Sequence, residues 1–453
     1  MAGGTDTFHR LRTSVVPTIL IWAVMGGLVA ASTVSLIAGI ATIVVALGVV
    51  LILTFGTEKI AAVGFIAAAG FGPLQGLTLP GASFVTATDL LLVLSAFVLA
   101  PSLVTRPFKS PWQFTIGAAL FLMIGVVASL AALNPGPSLF VFVRIVIGML
   151  FVPILYLWWA PNRVQMLWCA GAYLVGVCVD IVYALAVGPD PNLGRYVGLA
   201  ETPPAFGFSA VLAISLVPFL WWEAGLYRRI FVAGAALFAI YGIWISGTRS
   251  ALILLAALVV IFPFLERSLV AFGGLAALGA VGLVMLPRVI DLDGTNALAR
   301  LLGGGGSRGS DQARLDGLRN ALEVIETRPL IGNGFADVTG GAYGSFQSHN
   351  IYTQVTQSAG LFMLVAFLLL VWAFVRPLFL ALPEYRRVAY PALAYILAGP
   401  ITPNLGSRYV CVLLALALTA TAFIPRKDGA EDGGEDNVGD TADGPGPQAI
   451  ARG

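Results

Sequence analysis

The sequence predicts an all-α integral membrane protein, a polytopic bundle of about 12 to 14 transmembrane helices with one long non-cytoplasmic loop carrying short helices. Three observations predict it. The 453 residues are 58% hydrophobic and only 11% charged, against roughly 25% charged in an average soluble domain. Apolar runs of spanning length recur from Val15 to Ile424, separated by short polar connectors and one long polar loop. Positive charge collects on alternate connectors, as it does where Lys and Arg mark the cytoplasmic side of a membrane.

The elements follow in order. A tail over 1–14, basic at Arg10 and Arg12, precedes a first apolar run over 15–31. That run imitates a signal peptide, but no small-residue cleavage site follows it, so it is expected to remain as the first helix. Further spans are expected near 34–54, 59–71 (short), 83–104, 112–132, 139–159, 164–187, 204–222, 229–246, 249–266, 268–286, 351–375, 387–402 and 407–424. Residues 15–424 thus form one membrane domain with an outer loop over 287–350. The tail 425–453, acidic and rich in Gly, is expected to be disordered and cytoplasmic.

The connectors fix the orientation. Lys59, the Arg106–Lys109 stretch, Arg163, Arg228, Arg267, the stretch from Arg376 to Arg387, and Arg426 lie on one side, while 72–82 and 134–137 on the other carry neither Lys nor Arg. The expected topology is a multi-pass protein of the cytoplasmic (inner) membrane with both termini cytoplasmic. A net charge of +2 offers nothing to nucleic acid, and the partner implied by composition is the lipid bilayer. Cys169, Cys178 and Cys411 sit in apolar runs without a CxxC or a neighbouring His, so neither a metal centre nor a disulfide framework is indicated. No Walker-type loop, HExxH, GxSxG or acidic metal cluster occurs, and no cofactor is expected. The halves show no matching pair of interrupted helices of the kind found in inverted-repeat transporters.

Three outer segments break the charge rule. Arg195 lies in GPDPNLGRYVGLAETPP, Arg249 follows the SGT turn between two spans, and the long loop carries Arg288, Arg300, Arg308, Arg314, Arg319 and Arg328. Arg195 either pairs with Glu201 or Asp190 or holds an anion. Arg249 either snorkels at a helix end or binds an anionic partner. Within the loop, LLGGGGSRGS has the composition of a flexible segment. ARLDGLRNALEVIETRPL reads as an amphipathic helix with a stripe of Leu315, Leu318, Leu322 and Ile325, and Arg314 at its packing rim. The plain alternative for Arg314 is a salt bridge to Asp311 or Asp316. Arg408, in TPNLGSRYV, is a further outer arginine at a helix start. His349, at the end of the loop, either caps the next helix or titrates near neutral pH as a base. Several guanidinium forks on one membrane face suit a diphosphate, because they pair with phosphate oxygens and stay charged.

The long loop ending in His349-Asn350, with nine residues between Asn350 and Gly360, resembles the O-antigen ligase and O-antigen polymerase superfamily. Arg314 with Leu318, then RPLIGNGF, is similar to an arginine-leucine element and a proline-then-GxG approach in that family. SGTRSALILL resembles a serine-arginine helix opening, and RYVGLAETPPAFG an arginine-glycine segment. Met363 and the Thr202-Pro203-Pro204 run depart from the family's pattern.

The resemblance implies a metal-independent, inverting glycosyltransferase that uses a polyprenyl-diphosphate-linked glycan as donor and a glycan, lipid or cell-wall hydroxyl as acceptor. It implies His349 as base and Arg195, Arg249 and Arg314 on the diphosphate, with Asn350, Glu201 and Arg408 in support. The alternative is a lipid-linked oligosaccharide flippase or polysaccharide exporter, for which Asp180, inside a span, would be the proton-coupled residue.

Overall fold

A computed structural model describes residues 48, 50–79, 82–103, 108–222, 224–268, 273, 295–303, 307–336, 348–402 and 405–425. A short helix α1 (Thr57–Phe71) is followed by a two-stranded antiparallel sheet, β1 (Thr78–Leu79) and β2 (Ala82–Thr86). Helix α2 (Ala87–Leu103) follows. Among the described residues, seven helices are long and apolar enough to cross a membrane. They are α3 (Trp112–Leu130), α4 (Pro135–Trp159), α5 (Arg163–Val187), α6 (Pro203–Trp221), α7 (Leu226–Ser246), α8 (Arg249–Glu266) and α11 (Ile351–Leu380). Between α8 and α11 lie α9 (Ala297–Leu301) and α10 (Ser307–Thr327), and after α11 come α12 (Tyr390–Ala398) and α13 (Arg408–Thr419). This is an all-α polytopic membrane protein.

The ends of these helices are written in local chemistry. The Asn162 side chain accepts from the Gln165 amide while the Gln165 side chain accepts from the Asn162 amide, so α5 opens on a reciprocal cap. Asn350 Oδ1 accepts from the amides of Tyr352 at 2.9 Å and Thr353 at 3.3 Å and opens α11. Helix α13 is apolar all round, and every residue from Tyr409 to Thr419 is buried. A helix of that kind belongs at the centre of a bundle, and α11, α4 and α12 pack around it.

Glu266 closes one end of the bundle. It holds Arg386 at 3.0 Å, Arg387 at 2.6 Å and the Tyr390 hydroxyl at 2.8 Å, and the Arg387 guanidinium stacks 3.6 Å over Trp222. Glu266 ends α8 and Arg249 begins it, so this clasp and Arg249 lie at opposite ends.

Several expectations are corrected. The span expected from residue 83 begins at Ala87, because 82–86 pair as a strand and Asp89 Oδ2 caps the helix through the Thr86 amide at 3.1 Å. Arg376 lies inside α11, bonded to Gln113 at 3.2 Å, instead of opening a connector. The span expected at 387–402 holds a helix of only 9 residues. Ser307 to Ser310, expected to be flexible, form the first turn of α10. The spans near 15–31 and 268–286, most of 34–54 and the tails 1–14 and 426–453 lie outside the described residues.

Candidate functional site

The site is organised by the Ser246–Arg249 turn between α7 and α8. Gly247 has φ +61, and a Cβ there would meet the Arg195 Nε at 2.8 Å as well as the Thr295 carbonyl. Only glycine fits without displacing that arginine. The turn's polar groups then gather three arginines from three segments. Arg195 Nε donates to the Ser246 carbonyl at 2.8 Å and its Nη2 to Thr248 Oγ1 at 2.9 Å. Thr248 Oγ1 donates in turn to the Pro203 carbonyl at 2.9 Å, which ties the turn to α6. Arg300 Nη1 donates to the Gly247 carbonyl at 2.8 Å. Arg249 itself makes a two-pronged contact with Asp311 of α10, one arm at 2.9 Å from Nη1 to Oδ2.

The loop that carries Arg195 is anchored from below. Asp180 in α5 is fully buried, and its Oδ1 accepts the Leu199 amide at 2.5 Å. The Gly194 carbonyl accepts Thr295 Oγ1 at 2.6 Å, joining that loop to the segment before α9. Asp190 spends its Oδ1 on the amides of Asn192 and Leu193, and no ion pair joins it or Glu201 to Arg195. The carboxylate pairing expected for Arg195 is therefore replaced by backbone and hydroxyl acceptors.

Helix α10 brings Arg314. It packs along α11, and its protein-facing side runs through Arg314, Gly317, Leu318 and Ala321. Leu315 and Leu322, expected on that stripe, are half exposed. The expected Arg314 salt bridge is also absent: Asp311 pairs with Arg249, and Asp316 accepts from Gln312 and faces Arg319. The Nε of Arg314 is buried with no hydrogen-bond partner among the described residues, as is that of Arg300.

His349 reaches the same neighbourhood because α11 is fixed on both sides of it. Asn350, not His349, caps the helix, and the hydroxyls of Ser348 and Thr353 share a hydrogen bond of 2.6 Å across the cap. Ten residues on, α11 kinks at Ala359 and Gly360, where φ of Gly360 is +78 and a Cβ would strike the Leu330 carbonyl. The kink frees carbonyls for the RPLIGNGF segment. The Asn333 amide donates to Gln357 at 3.0 Å, Gly334 to Ser358 at 2.8 Å, and the Leu361 amide to Pro329 at 2.8 Å. The GxG and downstream Gly signals are thus parts of one backbone lock, on the helix that Asn350 caps.

The charges feel one another. Burial lowers the Arg195 pKa to about 10, helped by the charges of Arg300, Arg314 and Arg249. Arg300 and Arg314 are lowered by burial and then by Arg249, with Asp311 opposing. The Arg249 hydrogen bond holds Asp311 below the usual carboxylate range. His349 is pushed below the ordinary imidazole value by burial and then by Arg314, so at neutral pH it is a free base. Three guanidinium groups, of Arg249, Arg300 and Arg314, thus act on one carboxylate and on Arg195, a net positive arrangement that attracts a polyanion.

Arg408 stands apart. It is ion-paired with Asp89, both sides largely buried, and also donates to the Gly406 carbonyl at 3.1 Å. Arg300 was not singled out in the sequence. The available signal was Asn296, whose side chain caps α9 at the Ala299 amide (2.8 Å) and so aims Arg300 back at the turn. Among the described residues no three of His, Cys, Asp and Glu gather as a metal set, and the three cysteines are free thiols.

Residues 234–368 match the family described as O-antigen ligase. The match spans most of α7, all of α8, the segment with Arg300 and Arg314, and α11 through its kink, and excludes Arg195. No curated protein matches the chain.

Proposed function

We propose, from the match of residues 234–368 to the family described as O-antigen ligase, that this integral membrane protein transfers a glycan from a polyprenyl diphosphate to an acceptor hydroxyl on the outer face of the cytoplasmic membrane. The observation that carries the reading is the convergence of Arg195 and Arg300 on the turn that carries Arg249, with Arg314 close enough to feel the charge of Arg249 and His349 that of Arg314. The diphosphate sits among the arginines, whose unpartnered Nε groups on Arg300 and Arg314 supply donors the protein does not otherwise use. Preorganised cations are worth most where charge develops, here on the departing phosphate oxygen.

His349 removes the proton from the acceptor hydroxyl. The acceptor oxygen forms a bond to the anomeric carbon, and the bond from that carbon to the phosphate oxygen breaks. The electron pair leaves with the polyprenyl diphosphate, and the His349 proton passes to solvent. Single in-line displacement inverts the anomeric centre. The leaving group needs neutralisation more than protonation, which the arginines provide without a metal.

Asn350 positions His349 through the cap. Glu201 and Arg408 lie away from the arginine cluster and do not touch the diphosphate in this scheme. Asp180, the residue an exporter would use for proton coupling, accepts the Leu199 amide through Oδ1 and in the transfer reading anchors the loop that carries Arg195.

The test is transfer in membranes from cells expressing His349→Ala and Arg249→Ala. Each is expected to abolish transfer while protein level and membrane insertion stay normal. Wild-type transfer in both overturns the proposal.

A further inference from the structure

A cavity of about 260 Å³, separate from the arginine cluster, has Gln75, Asp89, Arg144, Glu201, Gln354 and Arg408 in its lining. Two short stretches of chain join the two places. Arg195 and Glu201 are the two ends of one loop, and Gln354 follows the Asn350 cap by one helical turn, a rise of about 6 Å. The cavity therefore shares its walls with the segments that place Arg195 and His349.

Its chemistry differs from that of the cluster. The acids Asp89 and Glu201 balance the bases Arg144 and Arg408, and Asp89 is already ion-paired with Arg408. A lining of zero formal charge gives no attraction to a diphosphate, whereas it offers donors and acceptors in both directions, as a polyhydroxylated neutral ligand requires. Two amide atoms in the lining lack a protein partner. Gln354 is 6% exposed and its Oε1 has none, and the buried Gln75 Nε2 has none among the described residues. The two atoms are covered within the wall, and a turn of either amide toward the cavity would let a ligand's hydroxyls remove the cost of leaving them unpaired. Phe84, half exposed at the same cavity, supplies an apolar face for a ring's C–H groups. Glu201 has φ +66, an uncommon conformation for a residue with a side chain, and it stands in the wall of this cavity.

We propose that this cavity is a saccharide subsite that binds an uncharged sugar ring through Gln354, Gln75 and Glu201. It rests on the glycan-transfer reading for its role, and the ring belongs to either the acceptor or the donor glycan.

The binding arm uses purified full-length protein and saturation-transfer NMR with maltose, cellobiose, lactose and chitobiose. At least one disaccharide is expected to bind, and Glu201→Gln and Gln354→Leu are each expected to weaken it roughly tenfold, the scale of one hydrogen bond to a charged or buried group. His349→Ala is expected to leave it unchanged. Absence of binding by all four sugars, binding indifferent to both substitutions, or displacement by inorganic diphosphate overturns the proposal.

The kinetic arm assigns the ring. In Glu201→Gln, a raised KM for acceptor places the acceptor's sugar here, and a raised KM for donor places the donor's. Unchanged KM values for both overturn the subsite. Sugar binding that responds to the substitutions in a protein showing no transfer keeps the subsite and removes the transfer reading.

Discussion

Replacing Gly247 with alanine separates a strained turn from a displaced arginine. At φ +61 an alanine costs about 1–2 kcal/mol in the left-handed region. The larger effect is local: the new Cβ would lie 2.8 Å from Arg195 Nε, so the guanidinium must leave the Ser246 carbonyl and Thr248 Oγ1, which it now meets at 2.8 and 2.9 Å. Hydrogen bonds of charged groups contribute about 1.5–3 kcal/mol each. If roughly 3 kcal/mol of that positioning is lost in the transition state, kcat/KM for donor falls by about 10². Asparagine tolerates the left-handed conformation better but keeps the Cβ that meets the Thr295 carbonyl and Arg195, so Gly247→Asn is expected to recover only the backbone-strain part of the stability loss and not activity. The assay is donor kcat/KM alongside thermal unfolding, repeated in an Arg195→Ala background, where Gly247→Ala is expected to add little further loss. Wild-type kcat/KM in Gly247→Ala, or full additivity with Arg195→Ala, refutes the reasoning.

Transfer in the wild type is expected to rise with pH through an apparent pKa below the ordinary histidine value of 6.5 and to level off by neutrality, because burial and Arg314 both disfavour the imidazolium. Arg314→Gln removes a positive charge, makes protonation easier and is expected to move that limb to higher pH in a kcat/KM profile for acceptor; an unmoved limb separates Arg314 from His349. Asp311→Asn frees Arg249 from its carboxylate, so donor KM is expected to fall several-fold with little loss of thermal stability, since Asp311 is 48% exposed and such pairs contribute about 0–1 kcal/mol. A raised donor KM would show that Asp311 holds Arg249 in place instead of competing with the donor. Asp180→Asn keeps an oxygen for the Leu199 amide, so transfer is expected to persist; loss of glycan export in that variant with His349→Ala silent would favour a proton-coupled exporter.

The sequence made the membrane fold legible because apolar run length answers directly to bilayer thickness. Helix α8, expected over 249–266, spans Arg249–Glu266. Irregular backbone was less visible. The two-stranded sheet at 78–86 and the short helix α12 are set by tertiary partners and not by hydropathy. The arginines Arg195, Arg249 and Arg314 stand out in the sequence as charges that break the expected topology, and His349 as the sole histidine beyond the first ten residues. Their partners do not. That Asp311 would choose Arg249 over Arg314, three residues away on its own helix, depends on where α10 docks. Arg300 hid among loop arginines because its aim comes from the Asn296 cap and the Gly247 carbonyl, which lie far apart in the chain. Arg408 looked like the others in sequence, yet Asp89, 319 residues away, draws it into a separate cavity.

The most direct measurement of the central claim uses purified protein, a radiolabelled polyprenyl-diphosphate glycan, an acceptor and EDTA, scoring donor binding and transfer together. The account predicts transfer by the wild type, donor binding without transfer in His349→Ala, and loss of both when Arg195, Arg249 and Arg314 are replaced together by glutamine. Transfer at the wild-type rate by His349→Ala, or undiminished donor binding by the triple variant, would contradict it.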